Sequence, residues 1–80
     1  MITSVQNPLV KSITKLHQKK YRDQTNSFLV IGAHELSEAL KHGEAQHLFS
    51  LDDTYQKVSS HVMKKMTGGI KSNVLGVFDK

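Results

Sequence analysis

The sequence contains no cysteine. That excludes disulfides, thiolate metal sites and a cysteine nucleophile together, and it suits a reducing, cytoplasmic setting. Long hydrophobic runs are missing as well. The longest apolar stretch, Phe28 to Ala33, falls far short of the ~20 residues that a spanning helix needs, so no membrane partner is expected. Early Pro8 and the lysines that follow interrupt the N-terminus, which lacks the unbroken apolar core of a secretory signal. The five histidines, at 17, 34, 42, 47 and 61, include no pair four apart, the spacing of a helical zinc site. There is no GxGxxG pattern. Gly68-Gly69-Ile70-Lys71-Ser72 fails as a phosphate loop, because Ile70 stands where glycine must precede the lysine and a lysine occupies the place of the first glycine. Nothing marks a nucleophile elbow. Asp52-Asp53 is the one adjacent carboxylate pair, in a stretch expected to be a solvated loop. No catalytic centre, metal site or cofactor site of the chain's own is therefore expected.

Eighty residues with 38% hydrophobic and 22% charged content describe one small domain. A chain of this size buries only about 60–65% of its unfolded surface, which leaves little room for a deep cleft. The elements alternate. Asn7 is a strong N-cap and Pro8 suits the first helical position, so a helix is predicted from Pro8 to about Lys19 or Tyr21. Asp23 to Ser27 reads as a polar loop. Phe28 to Ile31 reads as a buried strand ending at Gly32. A helix over about His34 to His42 follows, with Leu36, Ala39 and Leu40 on one side and Gly43 as its stop. Gln46 to Leu51 is the second predicted strand, and Asp52 to Lys57 a loop or short turn. Ser59 can cap a helix over about Ser60 to Thr67, with Val62, Met63 and Met66 as inward core fillers, ended by Gly68-Gly69. Asn73 to Phe78 is the third strand. Such alternation predicts an α/β fold, a small sandwich with a mostly parallel sheet, right-handed crossovers and helices on both faces. Tyr21 and Tyr55 are expected to be partly buried rings with the hydroxyl at the surface, rather than platforms for bases.

The charge layout is the strongest functional signal. Residues 1–22 hold five bases and no acid, residues 23–56 hold six acids and one base, Lys41, and residues 57–80 hold five bases and one acid, Asp79. Within the first segment Lys11, Lys15, Lys19 and Arg22 are spaced by four, four and three, and so share one face of a continuous helix. Leu9, Val10, Ile13 and Leu16 fall on roughly the opposite face. A helix that docks by its apolar side and turns cations outward suits contact with nucleic-acid phosphates. If the two basic ends fold together, they form one positive face. Among the histidines, His34 is the functional candidate, because it follows Gly32 at a strand end, where loops often carry function.

The segment Ile2-Thr3-Ser4-Val5-Gln6-Asn7-Pro8-Leu9-Val10-Lys11 resembles the opening of the substrate-binding domain of SpoU/TrmH-type RNA ribose methyltransferases. The likeness continues through Leu16, Lys19-Lys20-Tyr21-Arg22, Phe28-Leu29-Val30 with Gly32, and Leu36, Glu38-Ala39-Leu40 and Gly43. Val58-Ser59 and Val74-Leu75-Gly76-Val77 extend it less specifically over nearly the whole chain. The resemblance implies a sandwich similar to kink-turn-binding ribosomal proteins, spanning residues 1–80. It would precede a knotted domain, absent from this chain, that binds S-adenosylmethionine and methylates a ribose 2′-hydroxyl. It also implies RNA, ribosomal in particular, as the partner, a monomeric isolated domain and a homodimeric parent. By position, Asn7, Arg22 and Gly32 match the family's marked residues, and Lys11 with Lys19 or Lys20 match its basic positions. The chain departs from the family at Ile31, where a glutamate usually precedes the glycine. The expected RNA-contacting set is therefore Asn7, Lys11, Lys15, Lys19, Lys20, Arg22, Gly32 and His34. The alternative reading is a stand-alone RNA-binding protein of the same fold with no enzyme attached.

Overall fold

A computed structural model describes residues 1–79. Asn7 opens helix α1 (Pro8–Lys15) as the sequence predicts: its side-chain oxygen accepts the Leu9 amide at 2.8 Å, with proline in the first turn. The helix then stops short of the expected Lys19 or Tyr21. The amides of Leu16, His17 and Gln18 reach back only three residues, to the carbonyls of Ile13, Thr14 and Lys15 at 3.0, 3.3 and 3.0 Å. That tightened turn closes α1. Gln18 is extended (φ −101°, ψ 130°), and a second helix, α2 (Lys19–Thr25), begins after it. No glycine or proline marks the break. It follows from tertiary contacts: Leu16 is buried in the core, and the His17 ring nitrogen Nε2 lies 2.6 Å from the carbonyl of Met66 on another helix. Helix α2 also takes up Asp23 to Thr25, which the composition had suggested were loop. It ends at Asn26 in the left-handed region (φ 54°, ψ 41°), where asparagine is tolerated.

The chain continues as β1 (Ser27–Ile31), α3 (Ala33–His42), β2 (Ala45–Ser50), β3 (Gln56–Lys57), α4 (Ser60–Thr67) and β4 (Val74–Asp79). The expected caps are present at α4: Ser59 Oγ accepts the Val62 amide at 3.2 Å, and Gly68 takes the left-handed conformation (φ 67°) that ends the helix. Two-residue β3 lies inside the stretch read as loop.

The strands form one mixed sheet in the order β1-β4-β2-β3. The expectation of a mostly parallel sheet is overturned. Only β2 and β3 pair in parallel; β4 is antiparallel to both its neighbours, β1 and β2. The crossover through α3 does return β2 parallel to β1, as a strand–helix–strand alternation implies, but one strand away. Strand β4 fills the gap in the opposite direction. Its start, Val74, lies against the ends of the two flanking strands: the Gly32 amide donates to the Val74 carbonyl and the Leu51 amide to the Asn73 carbonyl, at 3.4 and 3.1 Å. Hydrophobic periodicity identifies strands but carries no information about their direction. The apolar run Phe28 to Ile31 is likewise not the buried centre it resembles. It forms the edge strand β1, half-buried from Phe28 onward, while Leu75 to Phe78 of β4 are buried.

Helices cover both faces, so the expected α/β/α layering stands. On one face α1 and α4 pack over Phe49, Leu75 and Val77, with Val10, Ile13 and Leu16 of α1 and Val62, Met63 and Met66 of α4 closing the core. On the other, α3 presses Leu36 against Gly76, where a methyl group would approach Leu36 Cδ1 to 2.6 Å and Phe78 Cε1 to 2.8 Å. Among the described residues no helix is long and apolar enough to cross a membrane.

Candidate nucleic-acid interface

Burying the apolar stripes of α1 and α4 on the same sheet face fixes which side chains point away. On α4, inward Val62, Met63 and Met66 leave His61, Lys64 and Lys65 exposed. On α1, inward Val10 and Ile13 leave Lys11 and Lys15 exposed. The two basic ends of the sequence thus meet as neighbouring helices. Between them runs an open groove of about 600 Å³, lined by Thr14, His17, Gln18, His61, Lys64, Lys65 and the backbone of Gly68-Gly69. No acidic side chain lines it. Lys80, one of the C-terminal bases, lies outside the described residues.

The break after α1 redistributes the expected lysine stripe. Lys11 and Lys15 stay on α1, whereas Lys19, Lys20 and Arg22 ride on α2. Tyr21 rejoins the two groups. Its half-buried ring has Lys15 Nζ at 5.3 Å and Lys20 Nζ at 5.5 Å from the centroid. The ring quadrupole holds both ammonium groups close to one place despite their mutual repulsion.

The remaining expected residues are placed differently. The Asn7 side chain caps α1. Gly32 adopts φ 110°, ψ 143° at the head of α3, a conformation essentially closed to residues with a side chain. Exposed His34 stands in the first turn of α3, on the layer opposite α1 and α4. Arg22 is half-buried, and its Nη1 donates to the Leu16 carbonyl at 3.0 Å, sealing the open end of α1. Arg22→Ala is therefore expected to lower stability by about 1 kcal/mol through the lost hydrogen bond, readable as a drop in melting temperature with no nucleic acid present. An unchanged melt would show that the guanidinium does not hold the α1–α2 junction.

Sequence reading missed Thr14, His17, Gln18, His61, Lys64 and Lys65. The signal for three of them was present: 61, 64 and 65 share a face once 62, 63 and 66 turn inward. The role of His17 has no local signal, because its contact is with a residue 49 positions away. The Asp52-Asp53 pair does lie in an exposed loop. There, hydrogen bonds from the Thr54 hydroxyl and amide hold the Asp52 carboxyl below its ordinary value, the direction opposite to that needed by a general acid at neutral pH.

Comparison with known proteins gives a consistent picture. Residues 7–75 match the family model described as the MRM3-like substrate binding domain. An uncharacterized tRNA/rRNA methyltransferase of Synechocystis is 51% identical over 43 residues, covering 54% of this chain and 16% of that protein. The 23S rRNA (guanosine(2553)-2′-O)-methyltransferase RlmP of Bacillus subtilis is 44% identical over 54 residues, covering 66% of this chain and 22% of its own length. In three dimensions, the crystal structure of an rRNA methyltransferase from Sinorhizobium meliloti superposes on 99% of this chain with a TM-score of 0.82 at 29% identity. The match covers 36% of that structure. The chain thus spans well under half the length of each of these proteins.

Proposed function

The chain belongs to the MRM3-like substrate-binding domain family, and from that premise we propose that it grips RNA through the cationic side built by α1, α2 and α4, as the recognition part of a larger ribose methyltransferase. The observation that carries this reading is the α1–α4 groove, in which Lys64 and Lys65 from one end of the chain stand beside the lysine-bearing helix from the other. Structured RNA is met mainly through its shape, phosphates and 2′-hydroxyls. Lysines on two neighbouring helices, with hydroxyl and imidazole groups between them, suit such contacts. The relatives' names point to ribosomal RNA as the substrate class and to the cytoplasm as the place of action. The stand-alone alternative is not favoured, since each relative named above is a methyltransferase.

On this reading a separate knotted domain supplies methyl transfer and a homodimeric assembly. That domain, when loaded, would provide the electrophilic methyl group of S-adenosylmethionine. The groove described here does not suit that cofactor: Lys64 and Lys65 would repel its sulfonium charge. The domain's contribution is to bind and orient the RNA.

The test is the affinity for a structured ribosomal RNA fragment measured across added salt. Engagement of six lysines predicts a slope of log K against log salt near about −4 to −5. A slope shallower than about −1, or affinity no better than that of an unrelated protein of charge +4, would overturn the assignment.

A further inference from the structure

Beside the basic groove, and sharing one residue with it, lies a second and chemically different depression. It is an apolar cleft of about 330 Å³ whose floor is Leu16, Leu29 and Ile31, with Arg22 and His17 as walls and Ile70 at its lip. His17 lines both clefts. Its Nε2 is held at the Met66 carbonyl, and its ring lies close against Gly68, where a methyl group would come within 3.1 Å of Cε1. The imidazole is thus a fixed partition between a cationic channel and an apolar hole. Ile70 is one of two large hydrophobic side chains left exposed among the described residues, at 57%. The other, Met1, is terminal.

Resting on the RNA reading above, we propose that this cleft receives one unpaired nucleobase of the bound RNA while the neighbouring phosphates lie in the α1–α4 groove. Charge complementarity selects this occupant. Only a polyanion carrying flat apolar rings matches a lysine-lined channel that opens past an imidazole into an apolar hole. The walls suit a base as well. A guanidinium and an imidazole offer flat faces for stacking, and unpaired bases in RNA are commonly gripped in this manner. Strand β1 pairs only with β4 in the sheet, so its outer edge still carries backbone donors and acceptors that a base edge can meet. Ile31 makes the floor wholly apolar at the position where the resembling family usually carries a glutamate. A carboxylate there would repel phosphate and would demand a hydrogen-bond donor from the base. Ile31 removes both constraints, so the cleft of this chain is expected to discriminate little between bases.

The probes are two RNA hairpins that differ by one bulged 2-aminopurine nucleotide. The protein is expected to bind the bulged hairpin about tenfold more tightly than the fully paired one, with a change in 2-aminopurine fluorescence as the ring leaves its stack. Ile70→Ser, at an exposed position that folding does not need, is expected to bring the ratio of the two affinities towards one and to abolish the fluorescence change. Lys64→Ala with Lys65→Ala is expected to weaken both hairpins alike and leave the ratio standing. Equal binding of the two hairpins with silent fluorescence would overturn the base cleft while leaving the RNA grip in place. A ratio that survives Ile70→Ser unchanged would also overturn it. Failure to bind either hairpin would remove the RNA reading and the cleft together.

Discussion

Replacing Lys11, Lys15, Lys64 and Lys65 together by alanine is expected to weaken RNA binding on the order of 100-fold at moderate salt and to flatten the salt dependence by roughly three units of slope. All four side chains are exposed. None makes a hydrogen bond or ion pair described above, and alanine is the best helix former. The fold should therefore survive, with circular dichroism and melting temperature close to those of the parent. The expectation is specific to the packing of α1 against α4. Lys11 and Lys15 stand nearly fifty residues from Lys64 and Lys65, and they act on one ligand only because the two helices share a sheet face. Removing the α1 pair alone and the α4 pair alone should each flatten the slope by about half as much. If only the α1 pair mattered, the groove would not be the binding surface. Lys41 provides the control. It is equally cationic but engaged with Glu38 at 3.3 Å on α3, on the far layer, and Lys41→Ala should change neither affinity nor slope.

Phe49→Ala is expected to destabilise the domain by about 3–5 kcal/mol. Phe49 is 1% exposed and sits on central strand β2, under both α1 and α4. Its ring is the largest fully buried side chain of the molecule's described residues. A domain of this size has total stability at the low end of about 5–15 kcal/mol, and each kcal/mol moves the midpoint by about 4–8 °C. Thermal melts should therefore show a loss of well over 10 °C, or a chain already partly unfolded at room temperature. Phe49→Leu, which keeps most of the volume, should recover much of the loss. RNA binding should fall with the folded fraction in Phe49→Ala and return on cooling, unlike the lysine variant, whose weakness persists in a fully folded protein. A melt within a few degrees of the parent would show that the sheet and the α1–α4 layer do not share one core.

Local chemistry made much of this legible beforehand. Asn7-Pro8 announces α1 because a side-chain acceptor and a missing amide satisfy a helix start from adjacent residues. Ser59 and Gly68-Gly69 bracket α4 for similarly local reasons, and the apolar runs at Phe28, Leu48 and Val74 declare strands. The stripes Val10-Ile13 and Val62-Met63-Met66 decide which faces turn inward, and hence that Lys11, Lys15, Lys64 and Lys65 point to solvent. The family likeness adds a substrate-binding domain to that reading.

The sequence by itself determined the elements, their caps, their inward faces and the separation of charge into two basic ends around an acidic middle. All of these are set by interactions spanning at most a few residues. Only the tertiary structure decided that β4 enters antiparallel between β1 and β2. It alone also decided that α1 breaks at Leu16 to seat His17 on the end of α4, that Arg22 seals that break, and that a cationic groove and an apolar cleft meet across one imidazole. Each of these depends on contacts between residues far apart in the chain. Helical and strand periods report which side of an element is apolar, but not its direction, its neighbour, or which distant carbonyl a side chain will reach.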